Sequence, residues 1–212
     1  MRPRFYRGMR FVSRRAICSI LDVRVEHPER VPSTGPVLVA GNHRSFLDAP
    51  LVAAYIPRPA TFLAKSELFL GPVMSRVMGW LGQIPVDRGR PDREALRRAL
   101  AVLQSGGVLG LFPEGTRGAG ELTSVQHGVA YLALRTPGVQ IVPVACIGTN
   151  HALPMGSRMP RRGTRVDIVF GEPFTIDAPA NPRARRAVAE AAEEIRVALA
   201  RHVAQADAEV AG

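Results

Sequence analysis

Short apolar runs recur along this chain, and a segment of helical period separates most of them from the next. Residues 23–26, 36–40, 61–64, 83–86, 108–112, 141–145 and 165–170 are too short for typical helices, and their branched aliphatic side chains suit paired strands. Residues 46–55, 67–81, 92–103, 125–134 and 182–203 read as helices. In the 92–103 segment, Ala95, Leu96, Ala99, Leu100 and Leu103 fall on one face. Strands alternating with helices predict a layered α/β domain. The length of 212 residues suits one such domain over 23–207, with an N-terminal helix within 1–22 and a flexible tail at 208–212.

The charge balance narrows the partners. Lys+Arg number 28 against 18 Asp+Glu, a net charge of +10, and Lys65 is the only lysine. Such an excess attracts polyanions, either nucleic acid or an anionic membrane face. Residues 3–21 concentrate it: Arg4, Arg7, Arg10, Arg14 and Arg15 interleave with Phe5, Tyr6, Phe11 and Ile17, with no acid before Asp22. That one-sidedness favours an amphipathic helix at a membrane interface over one packed only on its own domain. No nucleic-acid motif is present and aromatics are only 6%, so no nucleic-acid partner is expected. Cys18 and Cys146 are isolated, which gives neither a disulfide framework nor zinc-ligand spacing. No apolar run reaches the roughly 18 residues of a spanning helix, and the basic N-terminus is too interrupted for a signal peptide. The expected location is cytoplasmic, free or bound to a membrane surface.

Asn42-His43-Arg44-Ser45-Phe46-Leu47-Asp48 follows a buried strand. On one ideal helix His43 and Asp48 would be turned about 500° apart, so they meet only if His43 sits on the turn and Asp48 in the first helical turn. Neutral imidazole can take a proton from an alcohol as it attacks, and a carboxylate on the other ring nitrogen fixes the tautomer. A second account fits the same residues. Ser45 and Asp48 match a capping box, with Asp48 only closing the helix. Alone, that structural account is the stronger, because short patterns recur by chance. Ser45 lacks the elbow of a serine nucleophile and is read as a cap.

Three further stretches place cations at successive strand ends, where α/β folds collect ligands. Lys65 ends one strand, Arg88 follows another beside Gly89, and Phe112-Pro113-Glu114-Gly115-Thr116-Arg117 follows a third. Gly115 allows close backbone approach, Arg117 offers a planar fork for phosphate, and Glu114 could position a hydroxyl or an arginine. His127 and His151 read as packing and turn residues. Arg158, Arg161, Arg162 and Arg165 suit lipid headgroups and solvent equally.

Together these residues resemble the PlsC-type 1-acylglycerol-3-phosphate acyltransferases. Asn42, His43 and Asp48 match that family's Asn-His-x4-Asp block. Residues 82–89 match its second block, 112–117 its third, and the Val-Pro-Val strand at 141–144 its fourth. The resemblance implies a mixed central sheet flanked by helices and an N-terminal helical element at the bilayer. It implies transfer of a fatty acyl group from acyl-CoA or acyl-carrier protein to the free hydroxyl of lysophosphatidic acid, giving phosphatidic acid, without a metal or organic cofactor. His43 would be the general base and Asp48 its orienting partner. Lys65, Arg88 and Arg117 would hold the acceptor phosphate, and Glu114, Gly115 and Thr116 would shape its site. The implied location is peripheral, on the cytoplasmic face of the cell membrane. Gln126-His127 stand where relatives often carry a basic residue, and the N-terminal segment is short for a two-helix anchor. Other readings are a different lysolipid acceptor, a hydrolase using the same pair, or a non-catalytic basic protein that binds lipid or nucleic acid.

Overall fold

A computed structural model describes residues 2–87, 92–177, 179, 181–182 and 184–211. Seven strands form one sheet: β1 (Asp22–Glu26), β2 (Val37–Gly41), β3 (Ala60–Lys65), β4 (Ile84–Val86), β5 (Val108–Leu111), β6 (Gln140–Ile147) and β7 (Arg165–Phe170). Their spatial order is β1-β7-β6-β2-β5-β3-β4. β6 and β7 pair antiparallel and the other neighbours parallel, so the sheet is mixed as expected. Each strand runs where the sequence places it, within a residue or two.

Both faces of the sheet are covered. Along β2, alternate residues point to opposite sides. Leu38 and Ala40 join a core with Ala99 and Leu103 of α4 (Arg93–Gln104), Leu132 of α5 (Gly128–Leu134), and Ile195 and Leu199 of α7 (Arg185–Ala211). Val37 and Val39 join the other core, with Leu51 and Val52 of α2 (Asp48–Tyr55). All five β2 residues are buried, which is why this segment is a continuous apolar run rather than an alternating one. Gly110 on β5 makes room within the sheet: a Cβ there would lie 2.2 Å from the Phe62 ring.

Three expectations are corrected. The 67–81 segment is not one helix. A 3-10 turn, Ser66–Phe69, is followed by α3, Pro72–Leu81, because Gly71 sits at φ +85° and the ring of Pro72 disfavours helical backbone before it. α7 continues to Ala211, so residues 208–211 are helical rather than a flexible tail; Val203 and Ala206 keep that end on the core. A short α6, Thr149–Ala152, carries His151, for which the sequence favours a turn.

The N-terminal helix α1 (Pro3–Cys18) packs on its own domain more closely than the membrane reading required. Tyr6 is buried and its hydroxyl donates to the Ala53 carbonyl and accepts from Ala60 N–H. Arg14 Nε donates to the Ala54 carbonyl at 2.6 Å, and Phe5 meets Trp80 of α3 edge-on. Phe11 and Val12 stay exposed, as do Leu70, Val73 and Met74 around the start of α3. Among the described residues, no helix is long and apolar enough to cross a membrane.

Candidate active site

The parallel strands β2, β5, β3 and β4 all end at one edge of the sheet, and so does β6, parallel to β2. His43 lies two residues past the end of β2, and Glu114 three past the end of β5. Backbone pairing therefore sets the distance between the two loops before any side chain acts.

His43 sits on the turn and Asp48 is the first residue of α2, the arrangement their spacing required. His43 Nδ1 lies 2.8 Å from Asp48 Oδ2; the carboxylate can only accept, so Nδ1 carries the proton. The same oxygen accepts from the N–H groups of Arg44 at 2.8 Å and Ser45 at 2.7 Å. Asp48 thus closes the turn and orients the imidazole with one atom. The carboxylate meets the imidazole, and it also accepts from the Ser45 amide as a capping box would require. Ser45 itself is not the cap: its hydroxyl donates to the Leu153 carbonyl, and Leu47 precedes the helix. Asp48 is fully buried and His43 is 6% exposed. Nε2 of His43 makes no hydrogen bond among the described residues, which leaves it as the nitrogen open to a substrate proton.

Several neighbours fix the loop. Asn42 Nδ2 donates to the Cys146 carbonyl at 3.0 Å, and its Oδ1 accepts from Cys146 N–H at 2.8 Å, pinning β2 to β6 just before His43. Glu114 Oε1 accepts from His43 N–H at 2.8 Å, and the His43 carbonyl accepts from Gly118 N–H. The Phe112 ring stacks on the imidazole, 4.5 Å between centroids and 16° between planes. Burial pushes the Glu114 carboxyl above its ordinary range, while the His43 amide pulls it back. Burial likewise pushes the Cys146 thiol far up, so it stays protonated and inert.

The remaining predicted residues divide. Glu114 holds backbone instead of an arginine or a hydroxyl, because its carboxylate reaches the His43 amide directly. Gly115 takes φ +75° in the turn after β5, as its freedom suggested. Thr116 and Arg117 are exposed on the same loop, with the Arg117 guanidinium 5.7 Å above the Phe46 ring. Lys65 ends β3 as expected, but its ammonium is paired with Glu67 at 2.7 Å. Arg88 lies outside the described residues. A cleft of about 830 Å³ opens between this loop, α4 and α5, lined by Phe112, Glu114, Thr116, Leu96 and Tyr131 among others. Neither His43 nor Asp48 lines it; the cleft meets the pair through Phe112 and Glu114. Phe112 was legible only as part of a block, and its stacking role had no signal of its own.

The family model described as Acyltransferase matches residues 22–147, more than half of the chain. The chain belongs to that acyltransferase family. It is 30% identical over 156 residues to the chloroplastic 1-acyl-sn-glycerol-3-phosphate acyltransferase of Arabidopsis thaliana, covering 72% of this chain and 43% of that protein. It is 34% identical over 143 residues to the lyso-ornithine lipid O-acyltransferase of Pseudomonas aeruginosa, covering 65% and 53%. The crystal structure of the 1-acyl-sn-glycerophosphate acyltransferase PlsC from Thermotoga maritima superposes with a TM-score of 0.72 and 28% identity, over 96% of this chain and 80% of that one. The chain spans about half the length of several of the curated relatives it matches. The acyltransferase match ends at the last residue of β6, so β7 and α7 lie beyond it.

Proposed function

We propose that this chain transfers a fatty acyl group from a thioester, acyl-CoA or acyl-carrier protein, to the free hydroxyl of lysophosphatidic acid. The observation that carries the reading is the buried His43–Asp48 pair, with Nδ1 committed to the carboxylate and Nε2 unengaged. His43 Nε2 takes the hydroxyl proton while the oxygen attacks the thioester carbonyl. Asp48 stabilises the imidazolium that forms. The tetrahedral intermediate collapses by breaking the C–S bond, and the thiolate recovers the proton from His43. Glu114 and Phe112 hold the imidazole in place, and Arg117 on the adjoining loop is the cation offered to the acceptor phosphate.

Exposed Phe11, Val12, Leu70, Val73 and Met74, with the arginines of α1, support peripheral attachment to an anionic membrane face on the cytoplasmic side. A second acceptor reading rests on the Lys65–Glu67 ion pair, which leaves one fewer cation free for phosphate, and on the relative named for lyso-ornithine lipid. Incubation with labelled acyl-CoA and acyl-carrier protein and a panel of lysolipids, followed by mass analysis, separates these. Phosphatidic acid as the main product, absent with His43→Ala, is the expected result. Free fatty acid without acylated lipid would instead identify a hydrolase.

A further inference from the structure

His43, Arg44 and Ser45 belong to no helix or strand. A loop keeps a hydrogen-bond geometry only where other elements hold it. Glu114 and Gly118 hold the His43 backbone from the β5 side. The Arg44 side chain supplies a further tether, to a part of the chain beyond the acyltransferase match. Its Nη1 and Nη2 donate to Asp207 Oδ1 and Oδ2 at 2.8 and 2.5 Å, across 163 residues of sequence. Its Nε donates to the Ala119 carbonyl at 3.0 Å. All three guanidinium nitrogens are engaged, and the Arg44 side chain is only 13% exposed. A bidentate pair of this kind fixes direction as well as distance. Gly120, at φ +75°, leaves the space: a Cβ there would lie 2.5 Å from Arg44 Cγ. The backbone N–H of Arg44 donates to the Asp48 oxygen that holds the imidazole, so any shift of Arg44 acts directly on the pair.

We infer that Asp207, near the end of α7, is a positioning residue for the His43–Asp48 pair and acts through Arg44. It touches neither member of the pair, and its effect on turnover rests on reading that pair as the acyl-transfer base. Two readouts test it, one of them independent of activity. In Asp207→Asn, hydrogen exchange at the amides of Arg44 and Ser45, measured without substrate, should quicken about tenfold, because the loop opens more often. In steady state, kcat should fall about tenfold with both KM values within about twofold, Asp207→Glu should recover most of it, and Asp207→Asn should add little once Arg44 is alanine. Glu209→Gln, an exposed change on the same helix, should leave both readouts unchanged. Melting temperatures verify that each variant is folded. Unchanged exchange overturns the proposal whatever the activity. So does wild-type kcat in Asp207→Asn, an equal loss in the Arg44→Ala background, or the same losses in Glu209→Gln. A wild-type protein that transfers no acyl group would refute the reading of the pair instead, and exchange alone would then decide the role of Asp207.

Discussion

Replacing Asp48 with asparagine removes a charge and almost no shape. Oδ2 accepts from His43, Arg44 and Ser45, while Oδ1 is buried without a hydrogen-bond partner among the described residues. An asparagine can therefore set its carbonyl where Oδ2 lies and its amide nitrogen where Oδ1 lies, keeping all three contacts. What it cannot do is face the imidazolium with a negative charge. Two unit charges about 4 Å apart interact by about 4 kcal/mol at an effective dielectric near 20. If the transition state carries between half and all of the proton, the barrier rises by about 2–4 kcal/mol, or roughly 30- to 1,000-fold in kcat. The buried amide N–H group left without an acceptor costs about 1–3 kcal/mol of stability, so the melting temperature should fall by roughly 2–12 °C. Neither KM should move much, because Asp48 is fully buried behind His43. The assay is single-turnover and steady-state transfer at 25 °C, with thermal melts on the same samples. A variant within about threefold of wild-type kcat would refute the argument. Asp48 would then serve only to close the turn at Arg44 and Ser45.

Two other outcomes follow from the structure. Arg117→Ala should raise the KM for a phosphate-bearing acceptor by about tenfold or more, the scale of one lost charge-assisted hydrogen bond, and leave the KM of the thioester unchanged; equal acceptor kinetics would remove Arg117 from the site. Burial holds the His202 imidazole below its ordinary pKa, with Nε2 bonded to the Val169 carbonyl. The unfolded chain then takes up the proton first as pH falls, so stability is full above the ordinary histidine pKa and is lost as pH drops through the lowered one. Urea midpoints from pH 7 to pH 5 should therefore fall more steeply for wild type than for His202→Gln, and parallel curves would contradict this.

The fold was legible because its signals are local. Each strand is a short apolar run, and α4 shows its buried face in the positions of Ala95, Ala99 and Leu103. The misplaced boundaries came from tertiary context. Nothing local separates a continuous 67–81 helix from a turn and a helix except Gly71-Pro72, and the apolar content of the segment outweighed that signal. α7 ran past residue 203 because Ala206 is buried, and an alanine carries little hydrophobic signal of its own.

The site was legible in a different way. The spacing of His43 and Asp48 says only that the two are able to meet; the capping box accounts for Ser45 and Asp48 and, taken alone, is the stronger account. In the structure they do meet, and a residue 71 positions away helps to hold the turn, because Glu114 accepts from the His43 amide. Arg44 and Asp207 lie further beyond local reading. Arg44 looks like one more arginine in a chain with a net charge of +10, and Asp207 like one more acid on a polar helix face. Their pairing depends on α7 crossing the sheet so that its last turns reach the β2 loop, a consequence of helix packing over the whole domain. In a chain this basic, most single arginines are solvated charge. Arg44 is not one of these: its side chain is only 13% exposed, all three guanidinium nitrogens are bonded, and its own N–H is bonded to the buried Asp48.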